Sequence, residues 1–179
     1  MTRFKKMLAG TVIAVLILVP VYQLRHMLSA GDDGEDAMQM LYEVSLFQIE
    51  MLGHHLDDTA RLRSTEELDM LKQTAYAAHY VHERLVRSTA GGKLSSLASL
   101  QELMAFILRL QIAGARELSA TEQEGLQQLA DAYDPLFASY RKMMASDGHL
   151  YASEVEAMQQ ADADLSNRLK QLQQYGAES

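Results

Sequence analysis

Residues 64–92 read STEELDMLKQTAYAAHYVHERLVRSTAGG, and this stretch predicts a helix with both ends marked. Ser64-Thr65-Glu66-Glu67 has the spacing of a capping box. In it the Ser64 hydroxyl takes the Glu67 N–H and the Glu67 carboxylate reaches back to the Ser64 N–H. Gly91-Gly92 stops the helix, because glycine is free to adopt the left-handed cap. Between these ends Leu68, Leu71, Ala75, Ala78, His82 and Leu85 recur at alternating steps of three and four. Such a seam packs against near-antiparallel neighbours.

The same reading extends in both directions. Asp32-Asp33-Gly34 leads into a first helix over 35–60, Arg61-Leu62-Arg63 turns, and the helix just described covers 65–89. A third runs over 94–118. Ser119-Ala120-Thr121-Glu122 is a second capping box that opens a fourth helix, to residue 146. Asp147-Gly148 closes it, and Ser153-Glu154-Val155-Glu156 opens a fifth, to residue 175. Ser99-Leu100-Gln101-Glu102 matches the box too, inside the third helix, so the motif supports the segmentation without deciding it. Leu126, Leu129, Tyr133, Leu136, Tyr140 and Met143 form the seam of the fourth helix. Val155, Met158, Asp162, Leu165, Leu169 and Leu172 form that of the fifth. The first and third helices are apolar over a wider arc, with Leu103–Leu108 (LMAFIL) unbroken, and a helix apolar nearly all round is expected to be enclosed. Pro135 predicts a kink in the fourth helix, or a fresh start at Asp134-Pro135. No strand-like alternation competes.

Ahead of this domain, Met7 to Leu24 (MLAGTVIAVLILVPVYQL) carries no charge over 18 residues. At ~1.5 Å per residue it spans about 27 Å, close to the ~30 Å hydrocarbon core of a bilayer. Arg3, Lys5 and Lys6 precede it, and the first acid after it is Asp32. The basic flank belongs inside, which turns the rest of the chain outward. The expected plan is a cytoplasmic tail at 1–6, a transmembrane anchor at 7–27, a linker at 28–34 and an extracytoplasmic bundle at 35–176. The fold class is all-α: an N-terminal transmembrane helix followed by an up-and-down bundle of four to five antiparallel helices. A cleaved signal peptide is the rival reading, with Leu28-Ser29-Ala30 as its cleavage site and secretion as its consequence. Bulky Leu28 and the polar Arg25-His26 pair count against it. Gly10 and Ala14 form a small-xxx-small pair able to pack two anchors together, which allows a homodimer.

Charge excludes one large class of partner. Of the 16 basic and 24 acidic residues, four basic and no acidic ones lie in 1–30. The remaining 12 basic and 24 acidic residues give 31–179 a net charge of −12, which repels nucleic acid. The absence of Cys removes disulfides, thiol nucleophiles, Cys-ligated metals and covalent haem.

Few residues suggest chemistry. His79 and His82 lie three apart on one helix face, as a metal pair would, yet neither H-E-x-x-H nor H-x-x-E-H occurs. His54-His55 belongs to the first helix. With a turn near 62 it stands about 13 Å along the axis from His79, too far to share an ion with it. Met38-Gln39-Met40 and Met143-Met144 read as core filling before soft-metal ligands. No nucleophile elbow, phosphate loop or dinucleotide fingerprint is present. No enzyme activity and no cofactor are therefore expected, and the alternative is a bundle binding metal or haem.

The layout of an anchor followed by an outward helical bundle is similar to that of the sensor halves of bacterial chemoreceptors and histidine kinases. The likeness implies a signal-input or partner-binding module at the cell membrane. No second apolar span follows the bundle here, so a protein partner in or at the membrane is expected to relay any signal. His82 and Asp162 are polar interruptions of two apolar seams. His82 precedes Gly91 by nine positions and Asp162 follows Ser153 by nine, which puts them at similar heights. If their helices adjoin, Asp162 would raise the His82 pKa against desolvation and make a pH-responsive pair. Otherwise Ala161 takes the core position and Asp162 faces water.

Overall fold

The computed structural model describes residues 31–175, and the chain divides into two units, Met1–Ala37 and Met38–Ser179. The tail at 1–6, the proposed anchor at 7–27 with Gly10 and Ala14, and Leu28-Ser29-Ala30 lie outside the described residues. No described helix is long and apolar enough to cross a membrane. Five helices and no strands make up the described chain: α1 (Gly31–Asp57), α2 (Asp69–Ser88), α3 (Ala98–Gln111), α4 (Ala120–Tyr140) and α5 (Ala152–Tyr175). The first starts inside the stretch read as a linker.

The second unit is a helical bundle. α5 packs along both α4 and α3, and α3 packs on α2. α1 is tied to α4 by the Tyr133 hydroxyl, which donates to the Ile49 carbonyl at 2.7 Å, and by Tyr42 and Ser45, which reach Tyr140. Gly53 lets these two helices close up: a Cβ there would sit 3.3 Å from the Tyr133 ring. The predicted seams form the core. Leu71, Ala75, Ala78 and Leu85 of α2, Leu126, Leu129, Tyr133, Leu136 and Tyr140 of α4, and Val155, Met158, Leu165 and Leu169 of α5 are all buried.

The helix ends show where local motifs win and where they yield. At Ser119 both halves of the capping box are made, with Glu122 N–H on the Ser119 hydroxyl and Ser119 N–H on the Glu122 carboxylate. Arg116 clasps the same carboxylate with two guanidinium nitrogens at 2.8 and 2.5 Å. At Ser64 the predicted box is absent. Ser64 is held extended in a bridge to Glu117, so its side chain makes no cap bond, and the Glu67 carboxylate takes the Arg63 N–H instead. Thr65, buried beside it, gives its N–H to the Arg116 carbonyl and its hydroxyl to that of Gly114. These bonds pin the α1–α2 and α3–α4 connections together at one end of the bundle. A 3-10 turn, Thr65–Leu68, then feeds α2.

α3 is shorter than the 94–118 predicted, because Leu94 and Leu97 insert into the core from an extended segment and 112–118 is drawn into the loop pairing. α4 runs unbroken through Pro135 and stops at Tyr140, not 146. Beyond it Met143 and Met144 are buried in a hairpin, where Ala145 N–H meets the His149 carbonyl and Tyr151 N–H that of Met143. α5 opens one residue before Ser153. α2 is capped at Thr89, not at a glycine: the Thr89 backbone is extended, and its N–H and hydroxyl both return to the Leu85 carbonyl, while Gly91 and Gly92 follow in the turn beyond with left-handed φ of 78° and 66°.

The enclosure expected of α1 and α3 needs correcting for α1. α3 does bury Leu100, Leu103, Phe106, Ile107 and Leu110, leaving Leu108 out. α1 carries two apolar seams, and the bundle covers only one. Tyr42, Ser45, Ile49, Leu52 and Leu56 face inward, whereas Met40, Val44 and Phe47 are 67%, 46% and 56% exposed.

Candidate functional site

Two features stand out: a buried polar cluster between helices, and the open apolar face of α1. The cluster is built around His82, which is fully buried on α2. Its Nε2 lies 2.9 Å from the Ser95 carbonyl, which can only accept, so Nε2 carries the proton. Nδ1 then accepts from the Tyr140 hydroxyl at 3.0 Å, and that oxygen accepts from the Ser45 hydroxyl at 2.5 Å. The order Ser45 to Tyr140 to His82 to Ser95 stitches α1, α4, α2 and the segment before α3 in one chain of donors. Tyr42 adds a bond from its hydroxyl to the Tyr140 backbone carbonyl and stacks on the Tyr140 ring at 6.1 Å.

Burial governs the electrostatics. Desolvation pushes the His82 pKa down, against the Ser95 carbonyl and the Glu83 and Asp162 charges, which favour the imidazolium. The Tyr140 hydroxyl is pushed up by the same cause. His82 is therefore neutral near pH 7, which matches the donor order just described.

Asp162 lies across the same segment. Its carboxylate accepts the Ala98 and Ser99 N–H groups at 3.0 Å each and the Ser99 hydroxyl at 2.5 Å. A side chain of α5 thus caps the N-terminus of α3, where unpaired N–H groups and the helix dipole favour an anion. The two residues singled out in the sequence as a pH-responsive pair both grip residues 95–99, and neither is hydrogen-bonded to the other. Asp162 does not face water either: it and Ala161 are both buried.

His79 places Nε2 3.2 Å from the Gln101 amide nitrogen. A metal on His79 and His82 would have to displace the His82 bonds to Tyr140 and Ser95. Among the described residues no group of three or more His, Asp or Glu side chains is placed to hold an ion. His82 also has no ring nitrogen left for a substrate proton. Ser99 gives its hydroxyl directly to Asp162 and Ser45 gives its to the Tyr140 hydroxyl, with no imidazole bonded to either, so neither serine has the surroundings of an activated nucleophile.

Sequence reading missed Ser45 and Tyr140 as members of this cluster, although the signal was present. Ser45 is the lone small polar residue in the inward seam of α1, and Tyr140 is a hydroxyl in the seam of α4. Both positions demand an internal partner.

The second feature is on the surface. Met40, Val44 and Phe47 lie four and three positions apart, so they form one stripe down the outside of α1, with partly exposed Met51 next in line. A cavity of about 630 Å³ opens elsewhere, between Lys93, His149, Leu150, Val155 and Glu156, where the α2–α3 and α4–α5 connections meet. No family model, curated protein or solved structure matches this chain.

Proposed function

We propose that this chain is a non-catalytic docking module, anchored in the cell membrane by residues 7–27 and presenting residues 35–176 outside, where α1 receives a protein partner. The observation that supports it most is the outer stripe of α1. A helix whose inner seam already completes the core holds Met40, Val44 and Phe47 in water, and contiguous exposed apolar side chains mark interaction surfaces. The buried polar cluster supports the same reading in another way. It fixes α1 rigidly to α4, and a rigid face binds with less loss of conformational entropy than a loose one.

The full chain in native membranes provides the test. It resists alkaline carbonate extraction, and protease added to spheroplasts digests the bundle while sparing the tail that bears Arg3, Lys5 and Lys6. A photoreactive p-benzoylphenylalanine at Phe47 gives a covalent protein adduct, and the same probe at Tyr151, exposed on the α4–α5 connection, gives none. Release by carbonate, or equal adducts at the two positions, would contradict the proposal.

A further inference from the structure

We infer that the partner seated on the outer stripe of α1 is a second copy of this chain, paired parallel and in register as a short two-helix coiled coil. The inference rests on the docking reading above and assigns its occupant.

Spacing comes first. Met40, Val44, Phe47, Met51 and His54 follow steps of four, three, four and three, the repeat of a coiled-coil seam. Tyr42, Ser45, Ile49, Leu52 and Leu56 repeat the pattern on the opposite side of α1, and these are the positions the bundle buries. α1 therefore carries one complete seam inward and one outward. Only a helical partner of matching period uses the outer one along its length.

Charge then selects the partner and its direction. Glu43 and Glu50 flank the stripe on one edge, and Leu41, Gln48 and His55 flank it on the other. In a parallel pair each residue of the first edge meets the residue five positions later on the opposite helix. Glu43 then faces the second copy's Gln48, and Glu50 faces the second copy's His55. Neither contact opposes like charges, and both offer the glutamate a hydrogen-bond donor. An antiparallel pair centred on the stripe would set the glutamate edges against each other, Glu43 near the second copy's Glu50. A parallel pair also brings the N-terminal ends of the two chains to the same side, as two copies tethered to one membrane require.

Length sets the conditions. From Met40 to His54 the stripe runs about 21 Å at ~1.5 Å per residue, roughly two heptads, which is marginal for an isolated pair. Tethering both copies to one surface raises their effective concentration and overcomes that shortfall. The dimer is accordingly a property of the membrane-bound chain.

Because the chain contains no cysteine, single substitutions report unambiguously. Met40→Cys, Val44→Cys, Phe47→Cys and Tyr76→Cys are made in the full chain, in native membranes, and oxidised with copper phenanthroline. Tyr76 is exposed on α2 and off the stripe. Disulfide-linked dimer forms about tenfold faster at all three α1 positions than at 76, the gain expected of a tethered, oriented pair. Like positions meet all along the stripe only in a parallel, in-register pair. Rates at 40, 44 and 47 no higher than at 76, or linkage confined to one of the three, would overturn the inference. The probe at Phe47 separates the two failures. Adducts of other mass without disulfide dimers leave the docking reading standing and remove the second copy, whereas no adduct at Phe47 removes both.

Discussion

The carboxylate of Asp162 and the backbone N–H of Ser99 meet at 3.0 Å, joining the middle of α5 to the first turn of α3. The same carboxylate holds Ala98 N–H and the Ser99 hydroxyl. A helix that begins in the protein interior cannot leave its first N–H groups to water, and here a neighbouring helix supplies the acceptor.

Replacing that acceptor has a predictable consequence. Asp162→Ala strands two N–H groups and a hydroxyl inside the bundle, and lowers stability by about 2–3 kcal/mol. Asp162→Asn keeps one acceptor oxygen, gives up the bonds to the other and loses about 1 kcal/mol. Urea unfolding with an unchanged slope measures both. A loss below about 0.5 kcal/mol for the alanine variant, the range of ordinary surface substitutions, would show that the cap is dispensable.

His82 predicts a pH dependence. Burial is the largest influence on it and lowers its folded pKa below the ordinary 6.5; the Ser95 carbonyl, Glu83 and Asp162 oppose that shift, and His79 adds to it. Below 6.5 the unfolded chain takes up a proton that the folded chain resists. Stability from this group is complete above pH 6.5 and falls as the pH drops from there through the folded pKa. The direction is opposite to that of a His82–Asp162 ion pair, which would stabilise the bundle in acid. Urea midpoints at pH 7.5 and 5.5 check it: the parent loses stability on acidification, and His82→Gln loses less. Equal slopes in the two proteins would rule His82 out as the cause.

The Ser119 cap loses stability in the same direction but over a lower pH range. Arg116, helped by the Ser119 bonds, holds the Glu122 carboxyl down at about 2, against an ordinary 4.5. Its contribution is present above pH 4.5 and fades as the pH falls toward 2. Glu122→Gln keeps a capping side chain but removes this acid-sensitive part, so its unfolding midpoint changes less than the parent's between pH 4.5 and 2.5. Ser119→Ala costs about 1 kcal/mol at neutral pH. A parent and Glu122→Gln that lose stability in parallel would contradict the assignment.

The two caps show what could be read in the sequence. Five helices, the seams of α2, α4 and α5, the glycine turn beyond α2 and the Ser119 box all depend on residues within a turn or two of each other, and all were legible. Ser64 carried the same local motif, but Arg63, Ser64 and Thr65 are recruited by the α3–α4 loop about fifty residues later, and a nonlocal bridge outweighs a local box. His82 and Asp162 were visible as polar breaks in apolar seams. Their partners were not, because the Ser95 carbonyl and the Ala98 and Ser99 N–H groups are backbone atoms with no sequence signature. The wide apolar arc of α1 was legible as well, yet periodicity counts apolar faces without saying how many neighbours there are to cover them.

That uncovered face carries the functional account, and one comparison tests it most directly: thermal unfolding of the full chain with Phe47→Glu and with Ile107→Asp, each with crosslinking in native membranes. Ile107 is fully buried in α3, and a lone carboxylate there costs several kcal/mol, so that variant unfolds. Phe47 is 56% exposed. Phe47→Glu is predicted to melt like the parent, within about 0.5 kcal/mol, while its membrane complex disappears. A Phe47→Glu protein that keeps its complex, or that unfolds as Ile107→Asp does, would contradict the assignment of α1 as a docking face.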